Sequence, residues 1–264
     1  MISYDLDKML YTIPADKHST EEIREILGKH PEIKFVSLVG IDVGGHDTDE
    51  KIPVEEFLKD MDKFLTHGVQ TDGSSVVLPK IAKLNNAKVD IIPDKTVNWF
   101  VDHNFNYPDP DTGLPVGTLR IPSSLVHNDS ERVGSRVILR DANRNFKDDL
   151  MELLKNNPYV FEYIDADSVD DIDKIIITAA TELEFWVKTP DDDADREQLS
   201  TAQMLKEQYW KRTTGPVRTA LEETMLILQK YGFEMEMGHK EVGGVKAKLG
   251  NSGVYDHVME QLEI

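Results

Sequence analysis

Residues 173–190 read DKIIITAATELEFWVKTP, an apolar run closed by the alternation Glu182-Leu183-Glu184-Phe185. Successive side chains of a strand point to opposite faces, so Glu182 and Glu184 share one face and Leu183 and Phe185 the other. An isolated E-x-E is usually a wet strand face. Here IIITAA before it is apolar at nearly every position, as expected of a strand covered on both sides. Two further segments repeat the theme. In FEMEMGHKE (233–241) the parity groups Phe233, Met235, Met237, His239 and Glu241. In EQLEI (260–264) it groups Gln261 with Glu263. A carboxylate on an apolar strand face is costly unless a cation or hydrogen bonds compensate it. Several such carboxylates from separate strands suggest a hard-oxygen metal site.

The rest of the chain gives these strands a mixed setting. STEEIREILGKH (19–30) has a capping serine and early acids, and predicts a helix. IKFVSLVGIDV (33–43) predicts a buried strand, and VEEFLKDMDKFLTHG (54–68) a helix opened by Pro53. VDIIPDKTVNWFVDHNF (89–105) is strand-like, and NYPDPDTGLPVG (106–117) reads as a hairpin connection. Helices are expected over 136–154, 199–209 and 216–232, with β runs over 233–249 and 254–264 joined by GNSG. The expected class is α+β, with an N-terminal domain over 1–128, including a helical extension, and a second over 129–264.

Composition narrows the function. The 264 residues carry 49 acidic and 30 basic side chains, a formal charge of −19. Nucleic acid is therefore not expected as a partner, and docking on anionic membranes is disfavoured. ATP remains possible, since a divalent cation can bridge carboxylates and phosphates. There is no cysteine, so neither a disulfide framework nor a thiolate zinc site can form. The stretch MISYDLDKMLYTIPADKH (1–18) does not read as a secretory signal and no run of about 18 apolar residues appears, so a cytoplasmic location is expected. The runs HDTDE, DSVDDID and DDDADRE lack calcium-loop spacing and read as solvated loops. His103, His127 and His257 have no motif around them. No P-loop, dinucleotide fingerprint or G-x-S-x-G motif appears.

Taken in order, these residues resemble the glutamine synthetase family. TELEFWV is similar to its G-x-E-x-E-F strand, and His239, Glu241 and Val242 match its HHEV segment, with Lys240 in place of the second histidine. Gln261, Glu263 and Ile264 match GQHEI. Upstream, IKFVSLVGIDVGG resembles the first β-grasp strand and turn, TDGSSV the D-G-S-S loop, and IIPDKTV the M-P-D-x-x-T segment. The resemblance spans most of residues 33–264.

It implies a β-grasp-like domain followed by the first part of a catalytic domain, in an ATP-dependent glutamate–ammonia ligase working through a γ-glutamyl phosphate. Glu184, Glu241 and Glu263 would hold one Mg²⁺ or Mn²⁺, and Glu182 would contribute to a second. Asp72 would bind and deprotonate ammonium at a neighbouring subunit's site, with Ser75 supporting its loop, and Glu241 would also be catalytic. His239 and Gln261 would contact substrate. A ring-shaped homo-oligomer taking glutamate, ammonium and ATP is implied. The sequence departs from the family in Lys88, which stands where an aspartate is common, and in the long segment between Glu241 and Gln261, read as a hairpin insertion. The family's remaining nucleotide and metal ligands would follow Ile264, so the 264 residues alone are expected to be inactive. A γ-glutamyl amide ligase using another amine, or a non-catalytic oligomerisation module of the same fold, would share the pattern.

Overall fold

A computed structural model describes residues 4–76, 88–128, 133–188, 212–247 and 257–264. The chain is α+β and divides into two compact units, Met1–Ile176 and Ile177–Ile264.

In the first unit Ser19 caps α1 (Thr20–Lys29): its hydroxyl accepts from the Glu22 amide and donates to the Glu22 carboxylate at 2.7 Å. The hydroxyl thus satisfies one amide that a helix start leaves free, and the Glu22 carboxylate orients it. The helix expected over 54–68 is two helices, α2 (Val54–Lys59) and α3 (Met61–His67), broken where Asp60 takes φ −117°. The strands are β1 (Thr12–Ile13), β2 (Ile33–Gly40), β3 (Lys51–Pro53), β4 (Val69–Asp72), β5 (Lys88–Pro93), β6 (Trp99–Pro108) and β7 (Pro115–Val126). They form one sheet in the order β1-β6-β7-β2-β3, with the β4–β5 pair joined to β7 through β5.

β7, at 12 residues, organises this sheet. Its first half pairs antiparallel with β6 and its second half with β5, while β2 runs parallel along the other edge. Along β7 buried Leu119, Ile121, Ser123 and Leu125 alternate with half-buried positions, as expected of a strand with one dry face. Ile23, Leu27, Phe57, Met61 and Leu65 from the helices join Val36, Leu38, Ile91, Trp99 and Leu119 in one core. Trp99 is fully buried, donates from Nε1 to the Asp94 carbonyl at 2.9 Å, and stacks on His18. The hairpin between β6 and β7 matches its sequence signal: Asp109 accepts from the Thr112 amide and hydroxyl.

Helix α4 (Ser135–Asn156) falls within the range 129–264 expected for the second domain, but its first turn is tied to the first unit. Val133 and Val137 are buried, Ser135 donates to the Ile41 carbonyl, and Arg136 meets Asp94 at 2.7 Å. The compact division falls at 176/177 instead.

The second unit contains β8 (Glu184–Lys188), α5 (Gly215–Lys230), β9 (His239–Ala247) and β10 (His257–Glu263). The sheet is antiparallel with β10 in the middle, in the order β8-β10-β9. Val217 and Leu221 of α5 pack on Leu262 and Ile264, with Phe185, Val187 and Met235 around them. α5 ends as Gly232 takes φ 86°, while the Gly232 and Phe233 amides return to the Gln229 and Leu228 carbonyls. That is a Schellman closure, which a glycine permits at no steric cost.

Two strand expectations shorten here. Residues 172–183 are not a covered strand: Ile176 is 67% exposed, and only Leu183 reaches the sheet, exchanging backbone bonds with Ile264. Residues 233–238 are likewise outside the ladder, which begins at His239. Apolar composition alone does not make a strand where the backbone has no neighbour to pair with. The expected helix over 199–209 and the GNSG turn lie outside the described residues.

Candidate functional site

The face of the second sheet turned away from α5 gathers the acids. Pairing places Glu263 opposite both Glu184 on β8 and His239 on β9, and opposed residues project to the same side. Leu262 and Ile264 take the helix side, with Lys240 opposite Leu262. Lys240 reaches Glu260 at 2.9 Å, which satisfies both charges away from the acidic face.

Glu241 is placed by a bulge. The register runs Met259↔Val245, Gln261↔Val242, Leu262↔Lys240, so Glu241 is an extra residue with no partner on β10. Bulges of this kind re-aim side chains. One ligand-type atom from each of His239, Glu241 and Glu263 lies within 4.8 Å of the others. His239 Nε2 is 3.5 Å from Glu263 Oε2, and Nδ1 is 4.0 Å from Glu241 Oε2. All three side chains are less than one-fifth exposed.

The electrostatics of the group are unfavourable as it stands. Glu241 Oε2 is buried and makes no hydrogen bond among the described residues. Desolvation raises the pKa of Glu263, and the nearby Glu241 carboxyl and the charge of Glu182 raise it further, while His239 opposes them. A half-buried pair of carboxylates with one orphaned oxygen calls for a cation or a proton. The donor set of two carboxylates and an imidazole suits Mn²⁺ better than Mg²⁺, which prefers oxygen throughout.

The sequence candidates therefore fall into four groups. His239, Glu241 and Glu263 come together. Glu184 lies alongside, its Oε2 accepting from Gln261 Nε2 at 2.6 Å, so Gln261 orients a carboxylate. Glu182 is exposed and precedes the strand, near enough for its charge to act on Glu263. Asp72 and Ser75 belong to the first unit. Asp72 ends β4 directly opposite Lys88, and Ser75 is exposed in the following turn (Gly73–Ser75), on a cavity of about 260 Å³ it shares with Asp42 and Thr71.

A second feature of this unit, marked by no motif, is a cavity at the start of α5 whose lining mixes Arg212, Arg218 and Lys240 with Glu222, Leu221 and Met237. No protein-family model matches the chain, and no curated protein matches it.

Proposed function

We propose that this protein is a glutamine synthetase-type ligase, joining ammonia to glutamate at the expense of ATP, and that Glu241 and Glu263 hold its divalent cation. The observation that carries this reading is the convergence of Glu241, Glu263 and His239 from two strands, with one carboxylate oxygen left without a hydrogen bond. Glu184, steadied by Gln261, supplies a third carboxylate on the same face. A divalent cation held there offsets the negative charge that gathers when a phosphoryl group meets a carboxylate.

The protein's own groups have separate tasks in this reading. Glu241 and Glu263 bind the cation, and Glu182 adds charge beside them for a second. His239 faces the substrate from the edge of the cluster. Asp72, at the end of its strand, takes the proton from ammonium for the site of an adjoining subunit in a ring, and Ser75 holds the turn that presents it. The β-grasp-like assignment of the first unit draws support from the parallel β2–β7 pair at the centre of an otherwise antiparallel sheet with helices against its core.

Manganese titration followed by electron paramagnetic resonance tests the site. One bound Mn²⁺ per chain is expected, weakened at least about tenfold in Glu241→Gln and in Glu263→Gln. Equal Mn²⁺ affinity in both variants and the parent would remove the basis of the reading. For the reaction, the full-length protein should form glutamine from glutamate, ammonium and ATP, and Glu241→Gln should abolish it.

A further inference from the structure

Gln261 stands among the acids of the second sheet as an uncharged donor. On β10 it precedes Glu263 by two residues and shares its face, and Glu263 pairs with Glu184 of β8. Gln261 is therefore the diagonal neighbour of Glu184, and its Nε2 donates to Glu184 Oε2 at 2.6 Å. The other oxygen, Oε1, enters no hydrogen bond or ion pair among the described residues.

Without that bond Glu184 has little to keep it in place. It is exposed, its stem is flexible, and the carboxylate directly opposite, Glu263, repels it. An amide donor holds a carboxylate without neutralising it, whereas a lysine or arginine at position 261 would cancel the charge that attracts a cation. Carboxylates that ligate a metal are commonly steadied in this way, by a group that does not itself touch the metal. On its other side Glu263 has His239 opposite and Glu241 close by. Adjacent strands lie about 4.8 Å apart, so Glu184 is one strand spacing from the centre of the group.

Building on the reading of Glu241 and Glu263 as ligands of a divalent cation, we propose that Gln261 is a positioning residue of that site. By holding Glu184 Oε2 it leaves Oε1 for the cation as a third carboxylate ligand, and Mg²⁺ depends on this oxygen more than Mn²⁺ does. The difference between the metals follows from their chemistry. Mg²⁺ takes oxygen ligands in a near-ideal octahedron and tolerates a misplaced one poorly. Mn²⁺, a transition metal, keeps part of its binding through the imidazole of His239.

Two affinities of the full chain test this role: Mn²⁺ by electron paramagnetic resonance, and Mg²⁺ by displacement of the bound Mn²⁺. Gln261→Leu should bind Mn²⁺ about tenfold more weakly and Mg²⁺ about thirtyfold more weakly. Glu184→Gln should lose at least as much. Adding Gln261→Leu to Glu184→Gln should cause no further loss, because the two side chains act as one unit. Measuring both metals on one sample keeps their ratio independent of any fraction that misfolds. Parental affinities in Gln261→Leu, beside weakened binding in Glu241→Gln, would overturn the role and leave the cation site standing. Equal loss of both metals, or additive losses in the double variant, would also overturn it, since support of the fold alone gives that result. A parent chain that binds no Mn²⁺ would bring down the cation site itself, and this role with it.

Discussion

At Gly68 a single residue fixes how α3 hands the chain to β4. Its backbone takes φ 64° and ψ −150°, a region open essentially to glycine, and a Cβ there would sit 1.9 Å from the Ile91 carbonyl oxygen. Gly68→Ala should therefore destabilise the first unit by about 3 kcal/mol or more, read as a shift of the urea midpoint. An unchanged midpoint would show that the β4–β5 pair tolerates displacement. Asp109 makes a different kind of contribution. Its buried carboxylate lies 2.9 Å from Lys34 Nζ, and this contact, aided by Thr112, lowers its pKa below the usual value. A depressed folded-state pKa means that the stabilisation is present above the unfolded value of about 3.9 and disappears as pH falls through the lower folded value. Urea midpoints taken from about pH 6 down to about pH 2.5 should fall more steeply for the parent than for Asp109→Asn, which cannot titrate. Parallel curves would refute that role.

At the scale of elements, α5 and the three-stranded sheet stand or fall together through Leu262. This residue is fully buried against Val217 and Leu221, and Leu262→Ala should cost about 2–5 kcal/mol by opening a cavity. Hydrogen exchange should show β8, β9 and β10 losing protection while β2 and β7 keep theirs; uniform loss would mean that the two cores unfold as one. What the sequence disclosed here follows from local chemistry. Ser19 and Glu22 announce α1, Gly232 announces the end of α5, and the parity of EQLEI correctly puts Gln261 and Glu263 opposite Leu262. What stayed hidden depends on partners distant in the chain. Ile176 and Ile177 look like strand residues, yet among the described residues no strand pairs with them. The hydrogen bond from Gln261 to Glu184 spans 77 positions, and the unpaired bulge position of Glu241 exists only in the β9–β10 register.

At the scale of the whole molecule, charge is the dominant feature, and its effect on stability can be decided by magnitude. A net charge of −19 repels itself more in the compact state than in the expanded chain. Opposing this are exposed pairs such as Lys29–Glu25, Lys59–Glu56 and Arg218–Glu222, which lie at helix spacing and, open to solvent, contribute little each. Sodium chloride screens both, since the Debye length shrinks from about 30 Å at about 0.01 M to about 8 Å at about 0.15 M. The pairs are short-ranged, whereas the repulsion among unpaired acids acts over many longer separations and is screened more completely. The repulsive part should therefore be lost faster, and Tm should rise by roughly 2–4 °C across that range, corresponding to about 1 kcal/mol. Calorimetry at the two salt concentrations measures this directly. A fall in Tm would mean that the ion pairs, the three-cornered contact of Arg120 with Asp47, Asp49 and Asp102 among them, outweigh the excess of acids.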